Sequence, residues 1–210
     1  MILLNKLKPA TRICKECFEP IKDNYPFAIL NANACLCEKC DRELKPHFRH
    51  FMILKKYHAI SFYDYEGSFQ KLIYVFKGCY DIELRHIFLE RYYRELHFIF
   101  HGYLIVPIPS YFEADQLRGF NHVKEIFKHL NLPMLEILDK IQNVKQATSN
   151  AKERKEIQKY MKIKKRIDLT NKKILLVDDV YTTGSTMQTA IKLIEKLNPK
   201  KINVLVLAKA

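Results

Sequence analysis

Glycine is scarce in this chain: five occur in 210 residues, at positions 67, 78, 102, 119 and 184. That scarcity excludes two common phosphate-binding loops. A G-x-x-x-x-G-K-[ST] loop and a G-x-G-x-x-G fingerprint both need closely spaced glycines, and neither pattern is present. Acid is the second shortage. Against 36 Lys and Arg stand 23 Asp and Glu, a formal net charge of +13. Such an excess favours phosphate-rich partners: nucleic acid, an anionic membrane face or phosphorylated small molecules. A lysine-rich proteome gives the same balance, so charge alone assigns no partner. Long apolar runs are missing too. MILLNKLKPATRIC at the N-terminus has too short an apolar stretch for a signal peptide. The most apolar candidate for a membrane span, residues 81–106, is interrupted by Arg85, Glu90, Arg91, Arg94 and Glu95. A bilayer requires about 20 mostly apolar residues. The expectation is a soluble, cytoplasmic protein with no transmembrane segment. At 48% hydrophobic residues the chain can bury a core, and its length suits one domain plus a small module.

Five of the six cysteines lie between residues 14 and 40. A secreted disulfide scaffold would spread them through a short chain, so this crowding favours metal ligation. Cys14-Lys-Glu-Cys17 and Cys37-Glu-Lys-Cys40 are two C-x-x-C pairs separated by 19 residues. Two residues between thiolates let one tight turn present both sulfurs to one ion. A second such turn completes a four-thiolate shell with no open position, the pattern of structural zinc. Lys15 and Lys39 beside the pairs help favour the thiolate form. Cys35 is a rival of Cys37, and the two-residue gap prefers Cys37. Cys79 stands alone and reads as a small buried hydrophobe.

After the cysteines, KPHFRHFMILKKYH interleaves Lys45, Arg49, Lys55 and Lys56 with Phe48, Phe51 and Tyr57. Such a mixture can follow a nucleic-acid backbone while its rings stack on bases. It can equally be an amphipathic helix joining two domains. AISFYDYEG then alternates like a strand. SFQKLIYVFKG reads as a helix closed by Gly78, and Asp81 is placed to cap a further helix running to about Phe100. YLIVPIP is a buried strand, a helix is expected over 117–130, and MLEIL reads as a strand. Residues 142–155 lack apolar periodicity and suggest a loop. Residues 152–173 hold ten Lys or Arg against three acids. Within them Lys164, Lys165 and Arg166 are candidate nucleic-acid contacts, though a solvated helix face has the same composition. KILLVDD is a buried strand, GSTMQTAIKLIEKLN a helix and INVLVLA a closing strand. Alternation of strand and helix implies an α/β fold with a parallel sheet and flanking helices.

The late segment KILLVDDVYTTGST raises the chemical question. In parallel sheets ligands bind beyond the carboxyl ends of strands, so ILLV delivers Asp178 and Asp179 to such a place. Val180, Tyr181, Thr182, Thr183, Gly184, Ser185 and Thr186 then turn into a helix. Amides, hydroxyls and the positive helix end suit a phosphate there, and Gly184 supplies close backbone approach. The carboxylates suit sugar hydroxyls or water on Mg²⁺. Acid beside a phosphate cradle points to a phosphorylated sugar.

VDDVYTTGST resembles the phosphoribosyl pyrophosphate (PRPP) motif of type I phosphoribosyltransferases. With CKEC…CEKC, VFKG at 75–78, VPIP at 106–109 and LRGFN at 117–121, the chain is similar to the ComF competence family nearly throughout. That family joins a four-cysteine zinc module to a type I phosphoribosyltransferase-like domain. The resemblance implies a zinc module with a connecting helix over residues 1–55 and a transferase-like domain over 56–210. It implies PRPP and Mg²⁺ at Asp178, Asp179 and residues 180–186, with Lys77 and Arg118 contributing. Asp178 and Asp179 would be the catalytic acids, holding the ribose hydroxyls. Lys140 stands where the family usually has arginine, Asn150 where serine is common, and Ile157 where asparagine is. The implied role is natural transformation: handling incoming single-stranded DNA on the cytoplasmic side, with the competence helicase and other transformation proteins as partners. A PRPP-using transferase of nucleotide metabolism or salvage, without a DNA role, is the other reading.

Overall fold

A computed structural model describes residues 11–140 and 161–210, apart from 23, 32, 33 and 166. The expected loop at 142–155 and the candidate contact Arg166 lie outside the described residues. The chain divides into two compact units, Met1–Lys45 and Pro46–Ala210.

The first unit is built on turns. Ile13 bridges Pro20, and the Phe18 amide donates to the Cys14 carbonyl at 2.9 Å, so Cys14 and Cys17 share one tight turn. Helices α1 (Pro26–Leu30) and α2 (Glu38–Glu43) follow. Asp41 and Leu44 donate to the carbonyls of Cys37 and Cys40, each at 2.9 Å, which fixes the second pair on the opening of α2. The Tyr25 hydroxyl donates to the Leu36 carbonyl at 2.8 Å. Few large side chains are buried here, so local hydrogen bonds carry much of the order.

The second unit contains a five-stranded sheet of order β1-β2-β7-β6-β3. Its strands are β1 (Arg49–Ile53), β2 (Tyr57–Asp64), β3 (Tyr103–Pro107), β6 (Lys173–Tyr181) and β7 (Lys201–Lys209). β2, β7, β6 and β3 are mutually parallel, and β1 pairs antiparallel with β2 at the edge. A separate antiparallel pair joins β4 (Leu138–Lys140) to β5 (Met161–Ile163). Helix α3 (Gly67–Gly78) buries Phe69, Leu72, Ile73 and Phe76, the spacing of one helical face. The helix α7 (Ser185–Glu195) buries Met187, Ala190, Ile191 and Ile194 in the same way.

Both faces of the sheet are covered. Ile174 and Leu176 of β6 share a core cluster with Val204 and Val206 of β7 and the buried face of α7. Leu175, Val177, Leu205 and Leu207 lie outside that cluster, yet each has 0% exposure. This two-sided burial explains why β6 reads as an unbroken apolar run.

Several elements depart from expectation. Arg49–Ile53 is a strand, not part of a connecting helix, and the structure places residues 46–55 in the second unit. Phe51 and Ile53 face the core at alternate positions while Arg49, His50 and Met52 are exposed, a period of two. The helix expected from Asp81 is broken. Asp81 does cap, accepting from the Glu83 amide, but two 3₁₀ turns follow (Ile82–His86 and Glu90–Tyr92), and the α-helix α4 spans Tyr93–Ile99. Between them Phe88 and Leu89 are fully buried, and consecutive burial does not fit one helical stripe. The helix expected over 117–130 is two: α5 (Phe112–Arg118) and α6 (His122–Phe127). Gly119 takes the left-handed conformation, φ +82, and ends α5. In MLEIL, Met134 makes a single bridge to Ile105 and Leu138 opens β4, while the three residues between them lie in no strand. Cys79 is exposed, not buried.

Candidate functional site

β6 runs through the sheet between β7 and β3 and carries Asp178 and Asp179 to its carboxyl end. Asp179 is 6% exposed and Asp178 half-buried. Each carboxylate accepts the next amide: Asp178 Oδ1 from Asp179 N–H at 3.0 Å, and Asp179 Oδ1 from Val180 N–H at 2.8 Å.

The end of α3 brings the compensating cation. The Lys77 ammonium donates to Asp179 Oδ2 and is 35% exposed. His122, at the start of α6, places Nε2 3.5 Å from the same oxygen. Its Nδ1 lies 3.1 Å from Arg118 Nη1. A guanidinium can only donate, so Nδ1 accepts and the proton sits on Nε2, facing Asp179. Arg118 also donates from Nε to the Lys77 carbonyl at 3.2 Å and from Nη1 to Asp115 Oδ1 at 3.0 Å. Asn121 caps α6 through Oδ1, at 2.9 Å from the Lys124 amide, and donates from Nδ2 to Ser110 Oγ and Asp115 Oδ2, both at 2.7 Å. Ser110, just beyond β3, donates to Asp115. The RGFN element therefore ties the ends of β3, α3 and β6 into one network.

The electrostatics follow from this layout. Burial opposes the charge of Asp179, but Lys77 and His122 outweigh it and hold its carboxyl well below the usual range. Burial and the charge of Asp179 push Asp178 well up. Burial, aided by Lys77 and Arg118 and opposed by Asp179, pulls His122 down to about 4. Lys140, at the end of β4, sits 4.5 Å over the Tyr111 ring, and burial lowers its pKa against the pull of Asp178 and Asp179. One acid stays charged and its neighbour is easily protonated, an arrangement suited to sugar hydroxyls and a divalent cation.

Thr182 and Thr183 are exposed, Ser185 and Thr186 half-buried, and α7 opens at Gly184 with no side-chain cap. Thr183 Oγ1 and Ser185 Oγ are 3.0 Å apart. Gly184 has φ +74, and a Cβ there would fall on the Tyr181 ring. The left-handed backbone favours glycine there, and any Cβ would also make the Tyr181 ring move. Tyr181 itself packs edge-on to Phe51 at 5.0 Å between ring centres.

The structure brings Asp178, Asp179, Lys77 and Arg118 together, with residues 180–186 continuing from the acids. Sequence reasoning missed Ser110, Asp115 and His122 as parts of the site. Asp115 and Arg118 stand one turn apart on α5, but His122 opens α6, so no single helical spacing links the three. The expected helix began too late to include Asp115. Lys55 and Lys56 sit at the turn between β1 and β2, whereas Lys164 and Lys165 follow β5, so these candidate nucleic-acid residues belong to different strand pairs.

In the first unit the Sγ atoms of Cys14, Cys17, Cys37 and Cys40 all lie within 4.8 Å of one another. A tetrahedral ion with metal–sulfur bonds of ~2.3 Å sets sulfurs ~3.8 Å apart. Cys17 and Cys37 are 3.6 Å apart. Burial and the neighbouring Cys17 and Cys37 thiols push Cys40 upward, a crowding that a divalent cation relieves. The cluster is consistent with structural zinc, and it includes Cys37 and leaves out Cys35.

Residues 117–210 match the phosphoribosyl transferase domain family. That defines the class of the second unit: a phosphoribosyltransferase-type α/β domain with a four-cysteine module ahead of it in the chain. The chain is 27% identical over 194 residues to competence protein ComFC of Streptococcus pneumoniae, covering 90% of this chain and 84% of that one. To ComFC of Bacillus subtilis it is 25% identical over 210 residues, covering 90% and 81%. A hypoxanthine phosphoribosyltransferase structure from Staphylococcus aureus aligns with 61% of this chain and 64% of its own, at 13% identity and a TM-score of 0.40. Over most of its length the chain is thus similar to the ComFC competence proteins.

Proposed function

We propose that the protein is a competence factor of natural transformation that binds PRPP with Mg²⁺ at the end of β6 and handles single-stranded DNA on the cytoplasmic side. The observation that carries the PRPP part is the adjacent pair of half-buried Asp178 and buried Asp179 beside Lys77, opening onto the hydroxyl-rich turn before α7. Asp178 and Asp179 hold the ribose hydroxyls, and residues 182–186 hold the 5′-phosphate through amides and hydroxyls. Asp178 and Asp179 would also hold Mg²⁺, which when bound would supply charge neutralisation to the pyrophosphate. Lys77 stands beside the acids, where a departing pyrophosphate needs a cation. In transfer, the bond from the anomeric carbon to pyrophosphate breaks, with its electron pair leaving on pyrophosphate. A nucleophile of the acceptor forms the new bond. Arg118 and His122 are engaged with protein partners, which supports a positioning role for them around Asp179 and Lys77.

The names of the relatives and the +13 charge support the competence and DNA parts. The geometry of the four thiols supports one structural zinc held by Cys14, Cys17, Cys37 and Cys40. Calorimetry with PRPP and Mg²⁺ tests the site: the wild type binds, and Asp178→Asn with Asp179→Asn removes binding because charged acceptors are lost. Equal affinity in the two proteins would sink the PRPP reading. Pyrophosphate release with a free base, together with no binding to a single strand, would assign a salvage transferase instead.

A further inference from the structure

The amino end of the sheet carries a concentration of charge that the aspartate site does not use. We propose that this end is a track for the backbone of single-stranded nucleic acid, separate from the PRPP site. The proposal rests on the DNA-handling part of the reading above and gives it a location. β6 and β7 begin side by side on lysine, and Lys173 is the Cα partner of Lys201. Continuing the β2–β7 register back from Ala59 and Val204 sets Lys56 opposite Lys201. Neighbouring strands are ~4.8 Å apart, so the three lysines form a row roughly 10 Å long across the sheet edge. The Lys200 amide donates to the Lys172 carbonyl at 2.8 Å, adding a second basic pair one residue further out. All five lysines are exposed. A cavity of about 520 Å³ opens beside the row, lined by Lys56, His58, Asn198, Lys200 and Lys201 among others.

Among the described residues, the acids nearby are already engaged. Glu195 accepts from the Lys56 ammonium at 2.8 Å and from the Tyr57 hydroxyl. Asp168 accepts from the amide and hydroxyl of Thr170, at 2.9 and 2.6 Å. Among the described residues, Lys172, Lys173, Lys200 and Lys201 have no carboxylate partner, so their charge is available to an anion. Of the rings at this edge, Tyr57 and Tyr103 are each 6% exposed and offer no face to a base, which leaves the imidazole of His58 as the exposed ring among them. The track therefore grips phosphates and ignores sequence. A row this short, next to a recess, suits the successive phosphates of one flexible strand. A duplex presents a stiff convex surface to it. From Lys173 to Asp179 β6 advances ~20 Å. A strand on this track lies well away from the carboxylates, so it is not the acceptor of transfer there, and the two ligands bind together.

The test uses the full chain, a labelled 30-nucleotide single strand and a salt series read by fluorescence anisotropy. Replacing Lys172, Lys173, Lys200 and Lys201 together by Ala is expected to weaken binding at least tenfold at low salt. The log–log salt slope should flatten by about 0.7 for each phosphate that the variant no longer neutralises. Lys200→Ala with Lys201→Ala gives an intermediate slope, and circular dichroism verifies folding of each variant. Lys164→Ala with Lys165→Ala keeps most of the affinity, and saturating PRPP with Mg²⁺ does not displace the strand. Wild-type affinity in the folded fourfold variant, or displacement by PRPP, overturns the track and leaves the DNA reading intact. No strand binding by the wild type overturns both. Tighter binding to a duplex or to anionic vesicles than to the strand overturns the single-strand assignment.

Discussion

Asp179 stays ionised in a buried position because Lys77 and His122 face it, and His122 is held there by Arg118. The position costs the histidine its proton, and this shows as pH dependence. Its folded pKa, about 4, lies below the ordinary 6.5. Between those values the unfolded chain binds a proton that the folded chain does not. Stability is therefore lost as pH falls from 6.5 toward 4, by about 2 kcal/mol at pH 5. Asp178, whose pKa is raised, acts in the opposite direction as pH falls. Urea unfolding of the wild type against His122→Gln isolates the histidine: the variant should lose about 2 kcal/mol less between pH 7 and pH 5. Equal losses would show that His122 is not the buried neutral base described here. A second residue-scale prediction concerns Gly184. Gly184→Ala should cost about 2–3 kcal/mol, combining left-handed strain with the collision against Tyr181. In a Tyr181→Ala background the same change should cost only the backbone part, about 1 kcal/mol. A double-mutant cycle by urea unfolding checks the difference.

At the scale of elements, Asn121 closes one turn and opens the next helix. It caps α6 and ties Ser110 and Asp115 to the same turn. Asn121→Ala should cost about 1–2 kcal/mol, at the upper end of cap losses, and should weaken PRPP binding through the displaced network. Calorimetry and thermal melting on one sample measure both effects. This turn also shows what was legible in the sequence. β2, α3, β6, α7 and β7 follow from apolar periodicity, because burial alone decides them. The split between α5 and α6 does not, since Gly119 in the left-handed conformation and the Asn121 cap act against a continuing helical pattern. β1 was hidden because basic residues and exposed Met52 mask a strand with only two inward side chains. The acids of the site were legible from the strand that carries them. Asp115 and His122 were not, because their role depends on a tertiary meeting of α3, α5, α6 and β6.

For the molecule as a whole, two units with separate means of cohesion should respond to different insults. The first has its thiol cluster and turns, and the second a sheet covered on both faces. Cys14→Ser, Cys17→Ser, Cys37→Ser or Cys40→Ser should each abolish zinc retention, whereas Cys35→Ser should retain one ion per chain. Atomic absorption after dialysis reads this directly, and full zinc in the Cys37 variant would refute the ligand set. A strong chelator should unfold the first unit while PRPP affinity in the second persists. Cys79 supplies a convenient observer of such events. It is exposed at the end of α3, two residues after Lys77, and stands outside the thiol cluster. Once zinc protects the other exposed thiol, a maleimide dye should label Cys79 selectively. The same single fluorophore could then report ligand arrival beside Asp179 without any engineered cysteine.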